Sequence, residues 1–518
     1  MPTLACVPIL VRSHTDAIAQ ARTARDAGAD LVEFRIDGFF RPNDDTSADE
    51  IESIVRESPL PCIITCRAAA EGGFYEGEPD PVLALFDHLL PLPSVAHFDI
   101  EASRHKGWAP VGTTASLILS LHDHRGRPAD LNRRLLTMRA TPGVGVIKLA
   151  TTARSVRDNL ELLDLVRDSD HPMMALAMGE HGLMSRVLAP KFNAFLTFAS
   201  LRPETATAPG QPTLHDLLHL YRFRAITPVT RVYAVVGDPI SHSLSPLVHN
   251  VVFEALGYDG VDLPLRIPGG DEAPESLKAT LLELIHHPSL DFSGASITLP
   301  HKRAIVRLAR EQGWSLDDAS AALGAANTLV IDRGHPRAPG VRVLNTDAPA
   351  IIRALEGSID LTRSPLVGVV GAGGVARAAA WALAKAGARV LIANRTPDRA
   401  AALAADFSGK VRALTLADLV REPLDLVINA TSVGMKGGPA PEAIPLDLYA
   451  IPVAPLVMDL VYTPIETPLL ALARSRGCRT IDGVAMFVEQ AALQSEAWTG
   501  LTPPRALMNR VVREALAG

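Results

Sequence analysis

Through residues 1–222, eight short apolar runs recur, most of them separated by amphipathic or charged stretches. That alternation leaves few folds open, because strands joined through helices pair in parallel and must be covered on both faces. The runs Leu4–Val11, Leu31–Arg35, Cys62–Cys66, Val95–Ile100, Ser116–Leu121, Val144–Leu149, Met173–Met178 and Phe195–Phe198 read as strands. Helical spacing marks Asp16–Asp26, Pro81–Leu90, Leu131–Arg139 and Val156–Val166 between them. The expected fold is an α/β (β/α)8 barrel, and periodicity alone leaves a doubly wound open sheet as the alternative. Run after run ends in a chemically useful group: Glu33 and Arg35, Arg67, Asp99 and Glu101, His122, Lys148, Met178. Barrel active sites form at the C-terminal ends of strands, which favours the barrel.

A chain of 518 residues exceeds one core, and its length suggests roughly three to four compact units. Hydrophobic residues make up 47% and charged residues 21%, a balance ordinary for globular chains. The net charge of −7 speaks against nucleic acid or an anionic membrane as the main partner, so small molecules are the expected ligands. No apolar run reaches the length of a membrane span. The first residues reach Arg12 too early for a secretory signal, and a cytoplasmic location is expected. Cys62 and Cys66 lie in a strand at neither zinc nor thioredoxin spacing, so they read as buried thiols and no metal is expected.

The segment 223–231 carries a proline and no clear pattern, and reads as a linker. A second α/β series follows. Within it, PLVGVVGAGGVARAAAWALAKAG is a strand, a glycine turn and an alanine-rich helix. Gly371, Ala372, Gly373, Gly374 and Val375 form that turn, where backbone N–H groups can approach a pyrophosphate at the positive helix end. The next strand ends in Asn394, Arg395 and Thr396. An acid there would bind the ribose hydroxyl of NAD, whereas an arginine suits the 2′-phosphate of NADP. Upstream, Ser243 and Ser245 offer two hydroxyls on one side of an extended loop. Thr298 and Lys302 follow another strand, and Asn327 and Asp347 lie beyond it. Lys302 and Asp347 could form a proton-transfer pair or a structural salt bridge.

In the barrel, Lys148 ends an apolar run. Burial disfavours the ammonium form of a lysine, and a free amine can attack a ketone to give a Schiff base. His122 could serve as general acid and base. Glu33 and Arg35 share one face of a strand, and Arg35, Arg67 and Arg186 would together supply bidentate carboxylate binding.

These motifs carry two resemblances. Residues 4–222 resemble type I 3-dehydroquinate dehydratase through VEFRID, ITCRAAAEGG, the 99–101 strand end, SLHD, VIKLA, MGEHGLMSR, LTFAS and APGQ. The resemblance implies that Lys148 forms the imine, His122 moves protons and Glu71 assists. It also implies that Glu33, Arg35, Arg67, Arg186, Thr207 and Gln211 bind substrate. Thr207 stands where a serine is usual. Residues 232–518 resemble shikimate dehydrogenase through GDPISHSLSP, TLPHK, AANTL, NTD, GAGGVARA, NRT, NATSVGM, DLVYTPIETPLL and GVAMFVEQA. This implies a catalytic pair of Lys302 and Asp347, with Ser243, Ser245, Thr298, Asn327, Tyr462 and Gln490 around the substrate. It implies NADP held by the glycine turn, Asn394, Arg395, Thr396, Met435 and Gly483. It also implies a substrate domain split between 232–350 and 484–518, around a Rossmann domain at 351–483. Two departures are Ser296, where asparagine is usual, and Ala350, where a glycine is common. The expected substrates are 3-dehydroquinate, 3-dehydroshikimate and shikimate, because the first family's product is the second's substrate. The alternatives are a Schiff-base aldolase or a non-catalytic barrel, fused to a quinate dehydrogenase.

Overall fold

The structure is a computed structural model that describes residues 2–42, 44–240, 243–269, 275–334, 339–407 and 409–517. Ser241 and His242 of GDPISHSLSP lie outside them. The chain divides into two compact units, 1–230 with 265–267, and 231–264 with 268–518.

In the first unit the strands are β1 (Leu4–Leu10), β2 (Leu31–Arg35), β3 (Cys62–Thr65), β4 (Val95–Glu101), β5 (Ser116–Asp123), β6 (Val144–Thr152), β7 (Met173–Met178) and β8 (Leu196–Phe198). They pair in sequence order from β1 to β7, and β8 returns to pair with β1. At the remaining seam the Phe195 N–H donates to the Met173 carbonyl at 2.8 Å. The result is a nearly closed parallel barrel rather than an open sheet. Its first two helices start where short polar side chains cap them. Ser13 accepts from the Asp16 N–H before His14–Asp26, and Asp44 accepts from the Thr46 N–H before Asp45–Arg56.

Strand period fixes what enters the barrel. Cys6, Leu31, Ile63, Ile118, Val146, Met174, Leu196 and Phe198 form an apolar interior cluster drawn from seven strands. Two residues further along four of these strands come Glu33, Thr65, Ser120 and Lys148, which point to the same interior. A hydrophobic plug therefore lies beneath a polar layer. Register aligns that layer, pairing Thr65 with Asp99, Glu101 with Ser120 and Ser120 with Lys148.

The segment expected as a linker is bound to the barrel over most of its length. Phe223 is buried, Arg224 pairs with Asp30 at 2.9 Å, and the Lys191 ammonium donates to the carbonyls of Pro228 and Thr230. Its composition resembles a free loop, but one aromatic and one buried lysine hold it.

The second unit holds two six-stranded sheets. One contains β9 (Arg231–Gly237), β10 (Gly260–Arg266), β11 (Phe292–Ile297), β12 (Ser315–Leu316), β13 (Thr328–Asp332) and β14 (Gly340–Leu344), in the order β10-β9-β11-β13-β14-β12. The other contains β15 (Leu366–Val370), β16 (Arg389–Ala393), β17 (Val411–Leu414), β18 (Leu426–Asn429), β19 (Leu456–Asp459) and β20 (Thr480–Ile481), all parallel, in the order β17-β16-β15-β18-β19-β20. That is the strand order of a dinucleotide-binding sheet, with its switch point between β15 and β18. The helix Gly483–Thr499 returns to the first sheet, where Trp498 donates to the Leu329 carbonyl at 2.9 Å. Ala350 lies on the helix Asp347–Leu355, fully buried in the same apolar cluster as Ala376 and Ala379. A methyl fits there, and that helix crosses the boundary expected at residue 350. Among the described residues no helix is long and apolar enough to cross a membrane.

Candidate active sites

At the C-terminal mouth of the barrel, Lys148 is buried with its ammonium 2.7 Å from Asp99 and 3.3 Å from Glu33. The Phe198 ring faces it, 4.4 Å from Nζ to the centroid. Lys148 is thus not the isolated amine that its apolar run suggested. Arg67 donates to Asp99 at 2.7 Å, to Glu101 at 3.1 Å and to Ser120 at 2.7 Å. Burial alone would push the Asp99 carboxyl up, but Arg67 and then Lys148 outweigh it and hold Asp99 well below the usual carboxylate range.

Glu71 follows β3 on a short turn and accepts from both the N–H and Nδ1 of His122, at 2.9 and 3.1 Å. Burial raises the Glu71 carboxyl to about 7, against the pull of Arg67. His122 is pushed well below its usual value by burial and by the cations Arg67 and Lys148. A neutral imidazole held by Glu71 is therefore in place near neutral pH.

The three arginines expected to bind a carboxylate differ. Arg67 is spent on Asp99 and Glu101, and Arg35 on Asp37, at 2.8 and 3.0 Å. Arg186 is 1% exposed and has no hydrogen-bond or ion-pair partner among the described residues. Burial lowers it to about 10, so it stays charged at neutral pH. It sits on the helix Leu183–Val187 directly after β7, where a ligand anion would satisfy it. Thr207 and Gln211 occupy the loop after β8, and the Gln211 Oε1 accepts from the Thr207 N–H at 3.0 Å. The Gln211 Nε2 is buried without a partner.

In the second unit, Lys302 donates to Asp347 at 2.6 Å, with its side chain 25% exposed. Asn327 donates to the other Asp347 oxygen at 2.9 Å and lies 3.4 Å from Gln490. Ser296 does not project free of the protein; its buried hydroxyl is 3.1 Å from the Gln494 amide, which also donates to the Asn327 carbonyl. Ser243 accepts from the N–H of Ser245, at the start of the helix Ser245–Ala255. Thr298 is half-buried beyond β11, and Tyr462 stacks near Phe487 at 5.1 Å, its phenol pushed up by burial.

The glycine turn fits a dinucleotide. Gly371 has φ 123°, and a Cβ there would lie 2.8 Å from the Ala430 carbonyl. Above Gly373 and Gly374 the space is open, and no side chain caps the helix Gly374–Lys385. Its first N–H groups are left for a ligand phosphate. Beyond β16, Asn394 donates to the Thr396 carbonyl and shapes the turn, while Arg395 is exposed and without a partner among the described residues. Met435 is 37% exposed in the loop after β18. A Cβ at Gly483 would strike the Val461 carbonyl at 2.4 Å, so glycine lets this helix start close beneath β19.

Residues 5–228 match the type I 3-dehydroquinase family, and 235–329 match the shikimate dehydrogenase substrate-binding domain. Residues 357–435 match the shikimate/quinate 5-dehydrogenase family, and 483–513 the shikimate 5′-dehydrogenase C-terminal domain. The chloroplastic bifunctional 3-dehydroquinate dehydratase/shikimate dehydrogenase of Arabidopsis thaliana is 36% identical over 98% of this chain and 83% of its own length. The chain belongs to this bifunctional family. The NADP(+) shikimate dehydrogenase of Methanocella arvoryzae is 40% identical over 55% of this chain and 99% of its own. The shikimate dehydrogenase of Thermus thermophilus, solved in complex with NADP(H) and shikimate, is 36% identical over 55% of this chain and 100% of its own, with TM-score 0.48.

In this bifunctional chain the geometry adds residues to the expected set. Asp99, Glu101 and Ser120 surround Arg67, and Asp37 holds Arg35. Asp99 and Glu101 were legible as polar positions two apart on β4. Asp37 and Gln494 were not, because nothing local distinguishes a polar residue that grips a side chain from one in solvent.

Proposed function

We propose that the barrel dehydrates 3-dehydroquinate to 3-dehydroshikimate through an imine on Lys148, and that the second unit reduces 3-dehydroshikimate to shikimate with NADPH. The observation that carries the reading is the buried Lys148 amine set between Asp99 and Glu33 in the barrel mouth, with the unpaired Arg186 buried on the helix that follows β7.

In the barrel, Arg186 pairs with the substrate carboxylate, and Glu33, Thr207 and Gln211 bind its hydroxyls. Lys148 passes a proton to a neighbouring carboxylate and its Nζ adds to the ketone carbon, with loss of water, to give an iminium. The His122 Nε2 takes a proton from the adjacent carbon, and the electron pair moves toward the iminium nitrogen. The β-hydroxyl then leaves with the proton from His122. Hydrolysis releases product and restores the amine, for a net loss of one water. Glu71, accepting from Nδ1, keeps the Nε2 lone pair free for this exchange.

In the second unit, NADPH when bound supplies the hydride for the ring ketone. The glycine turn receives its pyrophosphate and Arg395 its 2′-phosphate. Lys302 gives a proton to the ketone oxygen, and Asp347, itself fixed by Asn327, holds Lys302 in place. Ser243, Ser245, Thr298, Tyr462 and Gln490 orient the hydroxylated ring. The four cysteines are all buried and unpaired, which suits a reducing cytoplasm.

Purified protein given dehydroquinate and NADPH should yield shikimate, and should stop at dehydroshikimate without NADPH. Absence of a dehydration product in folded protein would defeat the barrel reading, and failure to reduce supplied dehydroshikimate would defeat the other.

A further inference from the structure

The Asp37 carboxylate, two residues past β2, is almost wholly buried. Its Oδ1 accepts from the Arg35 Nε at 2.8 Å, and its Oδ2 from the Arg35 Nη2 at 3.0 Å. The same Oδ2 accepts from the backbone N–H of Phe74 at 3.0 Å. Phe74 closes the turn that carries Glu71, and this turn is pinned elsewhere by backbone bonds from Ala69 to Tyr75 and from Tyr75 to Arg67. Gly73 lets it lie close, since a Cβ there would fall 2.0 Å from the Arg67 carbonyl.

We propose that Asp37 is a positioning residue of the dehydratase site, aiming Arg35 at the substrate and anchoring the Glu71 turn with one carboxylate. The proposal rests on the dehydratase reading above. The side-on pair uses Nε and one hydrogen of Nη2, and leaves the Nη1 edge without a partner among the described residues. A guanidinium held at two points cannot rotate that edge away. Because Asp37 already balances its charge, Arg35 serves as an oriented donor to a ring hydroxyl or carboxylate edge, while the unpaired Arg186 supplies the net positive charge. The second link runs through Phe74 to Glu71, and from Glu71 to His122. One buried acid thus ties a substrate contact to the proton-transfer pair.

The test compares D37N, D37A, R35A and the double variant D37N/R35A in dehydroquinate turnover, with melting temperature and the circular-dichroism spectrum as fold controls and shikimate oxidation by NADP as the control on the second unit. The amide side chain in D37N keeps an oxygen for the Phe74 N–H but loses the charged pair. D37N should therefore raise KM about three- to tenfold, with kcat within about twofold. R35A should raise KM at least as much, and the double variant should be no worse than R35A alone, because Asp37 acts on substrate through Arg35. D37A should in addition lower kcat and shift the acid limb of the pH profile, as the Glu71 turn loosens. Unchanged KM in folded D37N, or additive losses in the double variant, would overturn the proposal. If D37A fails to fold, D37N and the cycle still decide. A parent protein that does not dehydrate dehydroquinate would count against the function, whereas these outcomes concern Asp37 alone.

Discussion

The two sites are built by opposite means. In the barrel, Lys148 has a side chain only 6% exposed, and Glu33, Asp99, Glu101 and Arg67 crowd the same interior. In the second unit, Lys302 keeps a quarter of its side chain exposed and has one carboxylate partner among the described residues, Asp347. On the proposed mechanisms the difference follows from where the reacting electrons come from. A lysine that forms a bond to substrate needs its amine desolvated, its charge compensated and a separate base beside it, all fixed beforehand. A site whose electrons arrive with a cofactor needs from the protein chiefly one proton donor and an open place for the dinucleotide.

The sharpest way to break the comparison is at Lys148. Lys148→Ala should abolish dehydration and leave reduction of supplied dehydroshikimate intact, because in the proposed mechanism the lysine forms the reacting bond. Borohydride added with dehydroquinate should fix an adduct on Lys148, read by mass spectrometry. An active protein without that adduct would remove the covalent half of the contrast. His122→Ala should slow turnover by roughly 10²–10⁴ while the imine still forms.

Next in size, Lys302→Ala or Asp347→Asn should cost roughly 10²–10⁴ in shikimate oxidation and leave dehydration near the parent rate. Loss of both activities in a folded variant would show that the two chemistries share a site, and the comparison would collapse.

These variants could be named from the sequence because Lys148 ends an apolar run, where a strand delivers a side chain to a mouth, and because Lys302 and Asp347 fall in motifs that resemble shikimate dehydrogenase. The barrel itself was legible for a related reason: periodicity alone left an open sheet as the alternative, and the row of polar groups at the strand ends favoured the barrel. What the sequence hid was the partner of each charge. Three arginines, Arg35, Arg67 and Arg186, look alike in the chain, yet two are already paired and one has no partner among the described residues. That distinction depends on Asp37 and Asp99 reaching across strands, which no local pattern records. Ser296 is similar. Its departure from asparagine was visible, but its contact with Gln494, 198 residues away, was not. The 223–231 segment misled because proline and polar residues mark loops whether or not they pack.

Cofactor choice sharpens the contrast further, since it concerns only the second site. Arg395 stands exposed beyond β16 with no acid beside it to bind an unmodified ribose. A charged hydrogen bond to the 2′-phosphate contributes about 1.5–3 kcal/mol, or roughly ten- to a hundredfold in binding. NADP should be preferred over NAD by at least that factor, and Arg395→Ala should remove most of the preference with little change in NAD use. Equal efficiency with both cofactors in the parent would favour a quinate dehydrogenase.

The smallest expected effect sets activity against stability within the barrel. Burial raises the Glu71 carboxyl from 4.5 to about 7, so the folded state binds a proton that the unfolded state has released. Between those values stability falls as pH rises, because folding favours the protonated acid, and the contribution is fully present only below about 4.5. Activity should run the other way. Protonated Glu71 can donate to Nδ1, which leaves the imidazole proton on Nε2 and removes the base, whereas ionised Glu71 only accepts from the Nδ1–H and leaves Nε2 free, so dehydration should climb through about pH 7. One ionisation there predicts kcat/KM at pH 6 about tenfold below its plateau at pH 8. Glu71→Gln should flatten that limb, lower the plateau, and narrow the loss of melting temperature between pH 5 and pH 8. Its amide oxygen can still accept the His122 backbone N–H, so the turn should hold. Shikimate oxidation should keep the parent pH profile, because Glu71 belongs to the first unit. An unshifted acid limb in the glutamine variant would assign that ionisation to another group and return Glu71 to a purely structural role.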